Sequence, residues 1–329
     1  MRHLFATLFA LTSAAGPVAA DLDRVVDAHI LPGYAAFADT TATLARAAAD
    51  GCDPDPLRAE WNAAFDAWMA VSHLRFGPVE EQGRSVIIAF WPDDKGMTPR
   101  SLARLVADRD PVVGDPEEFK EVSVAARGLF ALEFLLYDPQ FQPQDPYTCD
   151  LIRMATRDLA EIAAVVSEDW HGGFADTLRG AGAPGNAVYL SENEGLQVLF
   201  TNLVAGLEFT ANERLGRPLG SFDRPRPNRA EARRSARSLR NVTLSVQALQ
   251  QLVDTLVDVP LPETDAAFDG AAWAAAALDD PSFAGVSDPG DRLKVEILQQ
   301  SIKAIEVAVL AEVGPALGVS KGFNAGDGD

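Results

Sequence analysis

A helical spacing of apolar residues runs through almost the whole chain and limits its fold more than any other feature. From Asp21 onward these residues recur at intervals of three and four positions, and alternating β-branched runs are scarce. Such spacing places apolar side chains on one face of an α-helix. Amphipathic helices of this kind bury their apolar faces against each other in bundles. We therefore predict an all-α fold.

Proline- and glycine-rich segments separate the predicted helices and set their ends. Ser191 with Glu194 three residues later forms a capping box, which is typical of a helix start. The predicted long helices cover about 21–50 (with an early break at Pro32), 55–72, 115–137, 146–170, 191–216, 229–257 and 289–317, and shorter ones lie near 99–107 and around Trp273.

The chain is long enough for two medium domains. We predict an N-terminal helical bundle over 21–172, a glycine-rich connection over 173–190 and a C-terminal bundle over 191–329. The tetrapeptide that begins at Ala131 (ALEF) returns in similar form at Gly206 (GLEF), each inside an apolar helix. This short similarity suggests that the two halves are related by a pseudo-repeat.

The first twenty residues have the pattern of a secretory signal peptide. Arg2 supplies a positive charge, an apolar run follows, and small residues end the segment at Ala20. The sequence therefore predicts export, with the periplasm as the location. That oxidising compartment permits a disulfide between Cys52 and Cys149, the two cysteines of the chain, although their spacing does not show whether they meet.

The charge of the chain excludes some classes of partner. Lys and Arg number 28 against 48 Asp and Glu, which gives a net charge of −20. Phosphate backbones and anionic membrane surfaces repel such a protein, so we expect no nucleic-acid partner. After the first segment there is no apolar run of about 20 residues, and we expect no membrane span in the mature chain.

Glu133 stands inside an otherwise apolar helix, GLFALEFLLY, which begins at Gly128. A helix that is apolar all round is normally buried, and a buried carboxylate needs a partner, a metal or a proton. Glu133 is thus either a ligand or acid–base group, or a structural carboxylate paired with Arg75 or Arg84. Glu208 poses the same question in the second half.

A second cluster of candidate functional residues lies between Trp68 and Asp93, in a segment without clear periodicity. Aromatic, arginine and turn residues together suggest a pocket wall, whereas a long loop packing its own aromatics is the alternative. The candidate pocket residues in this segment are Trp68, Ser72, His73, Arg75, Arg84, Trp91 and Asp93. None of the histidines forms a compact zinc-binding pattern.

Several segments together resemble the imelysin family of bacterial periplasmic proteins. They are Trp68 to Pro78, the motif Phe90-Trp91-Pro92-Asp93, Ala126 to Glu133, Asn202 to Gly216, and the terminal Gly322-Phe323-Asn324 with Asp327-Gly328-Asp329. The resemblance covers essentially the whole mature chain. It implies an all-helical fold of two bundle-like halves with a site between them, and a link to bacterial iron acquisition.

The family motif is G-x-H-x-x-E. Gly128 and Glu133 match its first and last positions, but Phe130 stands where the family has histidine. A helix places residues three apart on one face, so histidine and glutamate could share a metal or a substrate. Phenylalanine can neither bind a metal nor transfer a proton. The substitution argues against a catalytic residue at this position and against a metal site copied from the family.

Three functional hypotheses follow. The leading one is a non-catalytic periplasmic protein of iron uptake that binds a small ligand or metal chelate and works with other periplasmic iron-uptake proteins. Gly128, Phe130 and Glu133 would then belong to the pocket, Glu133 would help hold a metal such as iron, and Arg75 and Arg84 would bind a ligand carboxylate. The alternatives are a metallopeptidase-like enzyme and an interaction scaffold with a vestigial site.

Overall fold

The computed structural model describes residues 21–141 and 145–321, and this part of the chain contains helices but no β-strand. The prediction of an all-α fold is therefore confirmed. The α-helices are α1 (Leu22–Val25), α2 (Leu31–Asp50), α3 (Pro54–Val71), α4 (Arg84–Ile88), α5 (Met97–Asp108), α6 (Pro116–Phe119), α7 (Gly128–Tyr137), α8 (Pro146–Asp169), α9 (Ala175–Arg179), α10 (Glu192–Phe209), α11 (Gly216–Leu219), α12 (Ser238–Leu256), α13 (Pro262–Ala276) and α14 (Pro289–Leu317).

Three of the long helices contain a π-helical segment. Val26–Ile30 joins α1 to α2, Trp170–Phe174 joins α8 to α9, and Thr210–Leu215 joins α10 to α11. The predicted helix at 191–216 is thus confirmed as a continuous helical stretch. The stretch at 21–50 is also helical, but the break predicted at Pro32 is wrong, because Pro32 lies in the first turn of α2 and the helix continues through it. π-Helical segments occur often at functional sites, and the one after α10 carries residues that line a cavity described below.

The first half packs α2 along both α3 and α8, and α7 lies between α3 and α8. Trp61 of α3 is fully buried and its indole N–H donates to the Leu129 carbonyl at 3.0 Å. Arg127, just before α7, forms a buried ion pair with Asp158 of α8 and donates two hydrogen bonds to its carboxylate. These contacts fix α7, which carries Phe130 and Glu133.

Two further contacts join distant parts of the chain. Cys52 and Cys149 form a disulfide between the α2–α3 connection and α8. Arg237 at the start of α12 donates to Asp66 of α3 at 2.6 Å, so α12 packs against the first half as well as against α10 and α13. The division into an N-terminal bundle over 21–172, a connection over 173–190 and a C-terminal bundle over 191–329 stays a prediction.

The prediction of one continuous helix over 115–137 is wrong. The chain forms the short α6, then an irregular stretch with a 3₁₀ turn at Val124–Ala126, and only then α7. Gly128 at the start of α7 has a φ of +71°, a left-handed conformation that interrupts any helix. A Cβ at this position would lie 2.0 Å from the Ile87 carbonyl oxygen, so the tight packing requires glycine.

The start predicted for the helix over 229–257 is also wrong. The helix begins at Ser238, and the preceding residues form turns in which Ala232 and Ala236 have positive φ. This conformation is unfavourable for alanine, so tertiary contacts must hold it. One of them joins Ser235 to Glu133, as described below.

Two predictions fall on residues outside the described ranges: the signal peptide over 1–20, and the family-like ending at Gly322-Phe323-Asn324 and Asp327-Gly328-Asp329. Within the described ranges, no helix combines the length and the hydropathy needed to cross a bilayer.

Candidate functional site

Two cavities meet at a pair of aromatic side chains. The larger has a volume of about 730 Å³ and the smaller about 220 Å³. Trp91 and Phe130 line both cavities, and their rings stack with centroids 6.4 Å apart and an interplanar angle of 20°. Phe130 therefore forms part of the wall between the two cavities.

The larger cavity combines aromatic faces with polar and charged groups. Trp68, Ser72 and His73 come from the end of α3 and the turn after it, while Asn202 and Phe209 come from α10. The full lining consists of Trp68, Ser72, His73, Arg75, Glu80, Ala89, Trp91, Phe130, Thr201, Asn202, Ala205, Gly206, Glu208, Phe209, Asn212, Glu213, Arg214 and Glu231.

A pair of buried histidines adjoins this cavity. His73 lines it, and its Nε2 lies 3.0 Å from Nε2 of His29, which is also buried. Burial lowers the pKa of His29 to about 4, against a smaller opposing effect of a hydrogen bond with Gln251. Burial, with repulsion from His29 and Arg214, also lowers the pKa of His73. Both imidazoles are therefore neutral at neutral pH.

Neither Arg75 nor Arg84 pairs with Glu133, so the partners that the structural alternative named for this carboxylate were wrong. Arg75 lines the larger cavity and pairs with Glu80 at 2.7 Å. Arg84 donates to Asp169 at 2.7 Å and is absent from both linings. Gly128 also lies outside the linings of both cavities. It adopts the left-handed conformation of the turn into α7.

The side chain of Glu208 is less deeply buried than that of Glu133, so its surroundings differ. Its side chain is 22% exposed, lines the larger cavity and pairs with Lys321. It is thus a partly solvated ion-pair residue, and the resemblance between the ALEF and GLEF segments does not extend to equal burial of their glutamates.

The smaller cavity lies on the other side of Phe130 and is rich in charged groups. Its lining consists of Phe90, Trp91, Pro92, Asp93, Asp94, Gly96, Thr98, Pro99, Phe130, Glu133, Phe134, Arg217, Asn228, Arg229, Ala230, Ala232, Arg233 and Arg234. Asp93 caps α5: its two carboxylate oxygens accept from the backbone N–H groups of Met97 and Thr98.

Glu133 lies in this wall and is 2% exposed. Its Oε1 accepts two hydrogen bonds from Ser235, from the backbone N–H at 3.0 Å and from the hydroxyl at 2.9 Å. Burial raises the pKa of Glu133, and the bonds from Ser235 and the nearby Arg234 oppose this shift without reversing it. Glu133 is therefore a buried carboxyl group tied to the turn before α12.

Four arginines line the smaller cavity, and three have acidic partners. Arg217 pairs with Asp94, Arg229 lies 3.7 Å from the same carboxylate, and Arg234 pairs with Asp138 at 2.7 Å. Arg233 differs, because its buried Nε has no hydrogen-bond partner among the described residues. Burial and repulsion from Arg234 lower the pKa of Arg233.

The groups around Glu133 do not fit a bound metal ion. One of its oxygens is engaged by Ser235, the helix position that could add a histidine holds Phe130, and Arg233 and Arg234 place positive charge nearby. Within the described ranges, no three His, Cys, Asp or Glu side chains are grouped so that they could hold a metal. Metal binding in proteins needs such grouped donors.

Sequence reasoning missed the residues that surround Glu133. The sequence carries a signal for them, since seven arginines fall between positions 224 and 240 of an otherwise acidic chain: Arg224, Arg226, Arg229, Arg233, Arg234, Arg237 and Arg240. Five of these arginines lie within the helix predicted over 229–257, and Arg224 and Arg226 precede it. Ser235 carried no signal of its own, because its partner Glu133 lies 102 positions away.

Comparison with known proteins places this architecture in a family. The sequence profile described as Imelysin matches residues 30–309. Iron-regulated protein A of Synechococcus elongatus is 24% identical over 318 residues, which cover 88% of this chain and 84% of that protein.

Two solved structures share the fold. An imelysin-like protein from Psychrobacter arcticum superposes with a TM-score of 0.78 at 18% identity, over 92% of this chain and 96% of that one. A protein described as an iron-regulated protein A precursor, from Parabacteroides distasonis, gives a TM-score of 0.74 at 12% identity, over 90% and 93%. With a profile match over most of its length and this shared fold, the chain belongs to the imelysin family.

Proposed function

We propose that the chain is a non-catalytic periplasmic binding protein of iron uptake, and that its ligand is a small iron chelate held in the larger cavity. The observation that carries the proposal is the cavity itself. Its volume of about 730 Å³ lies within the range of small-molecule sites. Its wall combines four aromatic rings with polar and charged groups, and sites for organic ligands use such groups to hold and orient the molecule.

The polar groups of the cavity support a defined orientation of the ligand. The amide of Asn202 accepts from the backbone N–H of Arg75 at 2.6 Å and is thereby fixed. Arg214 is held by Glu231 at 2.8 Å and by Ser245 at 3.0 Å. Side chains with locked positions bind a ligand at a lower entropic cost than mobile ones do.

A chelate suits this protein better than a bare metal ion. An organic chelator supplies the donor atoms of the metal, so the protein needs only shape, aromatic faces and hydrogen-bonding groups. This agrees with the lack of a metal-ligand cluster in the described ranges. The iron context comes from relatives described as iron-regulated proteins, and the periplasmic location comes from the N-terminal sequence.

A peptidase function has less support from the same residues. Metal-dependent peptide hydrolysis needs a metal with an open position and a base that activates water. Phe130 occupies the position of the motif histidine, and the carboxyl group of Glu133 is bonded to Ser235. The arrangement supplies neither a metal-ligand pair nor a free carboxylate.

Tryptophan fluorescence tests the proposal, because Trp68 and Trp91 line the larger cavity. Ferric dihydroxybenzoate should quench the emission of the mature protein in a saturable way. Ala205→Phe adds a ring to the cavity wall and should weaken binding at least tenfold. Ala276→Phe on the exposed side of α13 is the matched control and should bind as the wild type does.

Two results would contradict the proposal. One is the absence of saturable quenching by the ferric chelate, which favours a scaffold with a vestigial site. The other is metal-dependent cleavage of a test protein that Glu133→Gln removes, which would establish the metallopeptidase alternative.

A further inference from the structure

We propose that the smaller cavity is a separate binding site for a carboxylate of a small organic acid, with Arg233 and Thr98 as its principal donors. The site is independent of the larger cavity, because the stacked rings of Trp91 and Phe130 lie between the two and neither donor lines the larger one.

Two buried polar atoms on this cavity wall point to a ligand. Nε of Arg233 and Oγ1 of Thr98 both lack a hydrogen-bond partner in the described part of the chain. The Thr98 side chain is only 1% exposed. Buried polar groups in native proteins are nearly always satisfied, and two of the six unsatisfied buried side-chain atoms in the described ranges belong to residues that line this cavity.

The acidic groups of the cavity cannot be that acceptor. Both oxygens of Asp93 accept backbone N–H groups at the start of α5, and Asp94 is paired with Arg217. Glu133 accepts from Ser235, and burial favours its neutral form. The guanidinium of Arg233 is therefore the group whose charge is least compensated in this cavity.

The chemistry of the donors selects the class of ligand. The planar edge of a guanidinium matches the two oxygens of a carboxylate, and a hydroxyl can donate to the same group. A carboxylate presents two coplanar oxygens to these donors, whereas phosphate presents a tetrahedron of oxygens. The volume of about 220 Å³ leaves room for a small organic acid.

Calorimetric titration of the mature protein with citrate, and separately with inorganic phosphate, tests this assignment. Citrate should bind with one site per chain and more tightly than phosphate. Arg233→Gln should weaken citrate binding about tenfold to a hundredfold, the effect of losing a charge-assisted hydrogen bond. Thr98→Val keeps the shape of the side chain and should weaken binding about threefold to tenfold.

Arg104→Gln is the matched control, because Arg104 is an exposed arginine outside both cavities. It should bind citrate as the wild type does. Circular dichroism and thermal unfolding confirm that each variant folds, which is expected since Arg233 Nε bonds to no protein group.

Three results would overturn the assignment: no citrate binding by the wild type, equal binding by Arg233→Gln, or tighter binding of phosphate than of citrate. Ala205→Phe separates this site from the larger one. It should weaken the ferric chelate and leave citrate binding unchanged, so either proposal can fail without the other.

Discussion

Phe130 is the single residue that most changes what this member of the imelysin family can do. Its ring stacks on Trp91 and meets Phe65 edge-on with centroids 5.4 Å apart. A histidine there would offer a nitrogen to a ligand beside Glu133. The phenylalanine instead supplies an apolar wall between the two cavities and offers no atom that could bind a metal.

Glu133→Gln tests the state of the buried carboxyl group. Glutamine can keep both hydrogen bonds from Ser235, so the free energy of unfolding at pH 7 should be unchanged or about 1 kcal/mol higher. Glu133→Ala leaves the Ser235 N–H unsatisfied beside a new void and should cost about 2–4 kcal/mol. Urea unfolding of the three proteins measures both effects.

The pH dependence of that comparison follows from the raised pKa of Glu133. The pKa of Glu133 in the folded state lies above its pKa in the unfolded state. The stability that Glu133 contributes is therefore present below the unfolded-state pKa and is lost as pH rises through the folded-state pKa. The advantage of Glu133→Gln should therefore be larger at pH 8 than at pH 5. A glutamine variant as unstable as the alanine variant would contradict this account.

The His29–His73 pair predicts a loss of stability in mild acid. The pKa of His29 falls to about 4 in the fold, so between pH 6.5 and 4 the unfolded chain holds more protons. The contribution of His29 is complete above pH 6.5 and is lost toward pH 4, by about 1.4 kcal/mol per pH unit.

Denaturant unfolding at pH 7, 6 and 5 measures this slope. His29→Phe removes one of the two buried titrating rings and should reduce the slope, whereas the exposed His171→Gln is the control and should retain the wild-type slope. An unchanged slope in His29→Phe would rule out His29 as a source of acid sensitivity.

The site residues could be predicted only in part from the sequence. Glu133, Trp68, Ser72, His73, Arg75 and Trp91 stood out because of their chemistry or their apolar neighbours, and the structure places all of them in cavity walls. Their partners could not be predicted. Ser235 and His29 contact Glu133 and His73 across 102 and 44 positions, and a single sequence contains no record of such pairing.

At the scale of elements, Gly128 shows that the first residue of the family motif has a structural task here. Gly128→Ala should lower the free energy of unfolding by at least about 2 kcal/mol, since it combines left-handed strain with a clash against the Ile87 carbonyl. Gly172→Ala is the control, because a Cβ there meets open space. Thermal unfolding compares the two, and equal melting temperatures would contradict this role.

The long helices followed from their apolar spacing, and the error at 229–257 has a physical cause in tertiary contacts. Alanine and arginine favour helices, so the stretch before Ser238 has strong helical propensity. The structure overrides it, because Ser235 binds Glu133 and Arg237 binds Asp66. Tertiary contacts of this kind decide the conformation wherever a segment forms the wall of a site.

At the scale of the whole molecule, the disulfide between Cys52 and Cys149 closes a loop of 97 positions. In the loop-entropy description, a loop of this size is worth about 4–5 kcal/mol. The double variant Cys52→Ser, Cys149→Ser should lose stability by about that amount. Reducing agent should lower the melting temperature of the wild type and leave the double variant unchanged. Equal stability of the two proteins without reductant would exclude this role.

The molecule as a whole presents two adjoining cavities with unlike chemistry. The larger combines aromatic rings with polar and charged groups, and the smaller holds four arginines. Neither surrounds a cluster of metal-binding side chains in the described ranges. The central claim is therefore that this family member binds organic ligands and leaves the coordination of iron to the chelator.

Parallel calorimetric titrations of the mature protein with ferrous sulfate and with ferric dihydroxybenzoate test that claim most directly. The account predicts one chelate per chain, weakened at least tenfold in Ala205→Phe, and no stoichiometric binding of the ferrous ion. Stoichiometric ferrous binding that disappears in Glu133→Gln would contradict it, because a metal centre would then exist at Glu133 despite Phe130.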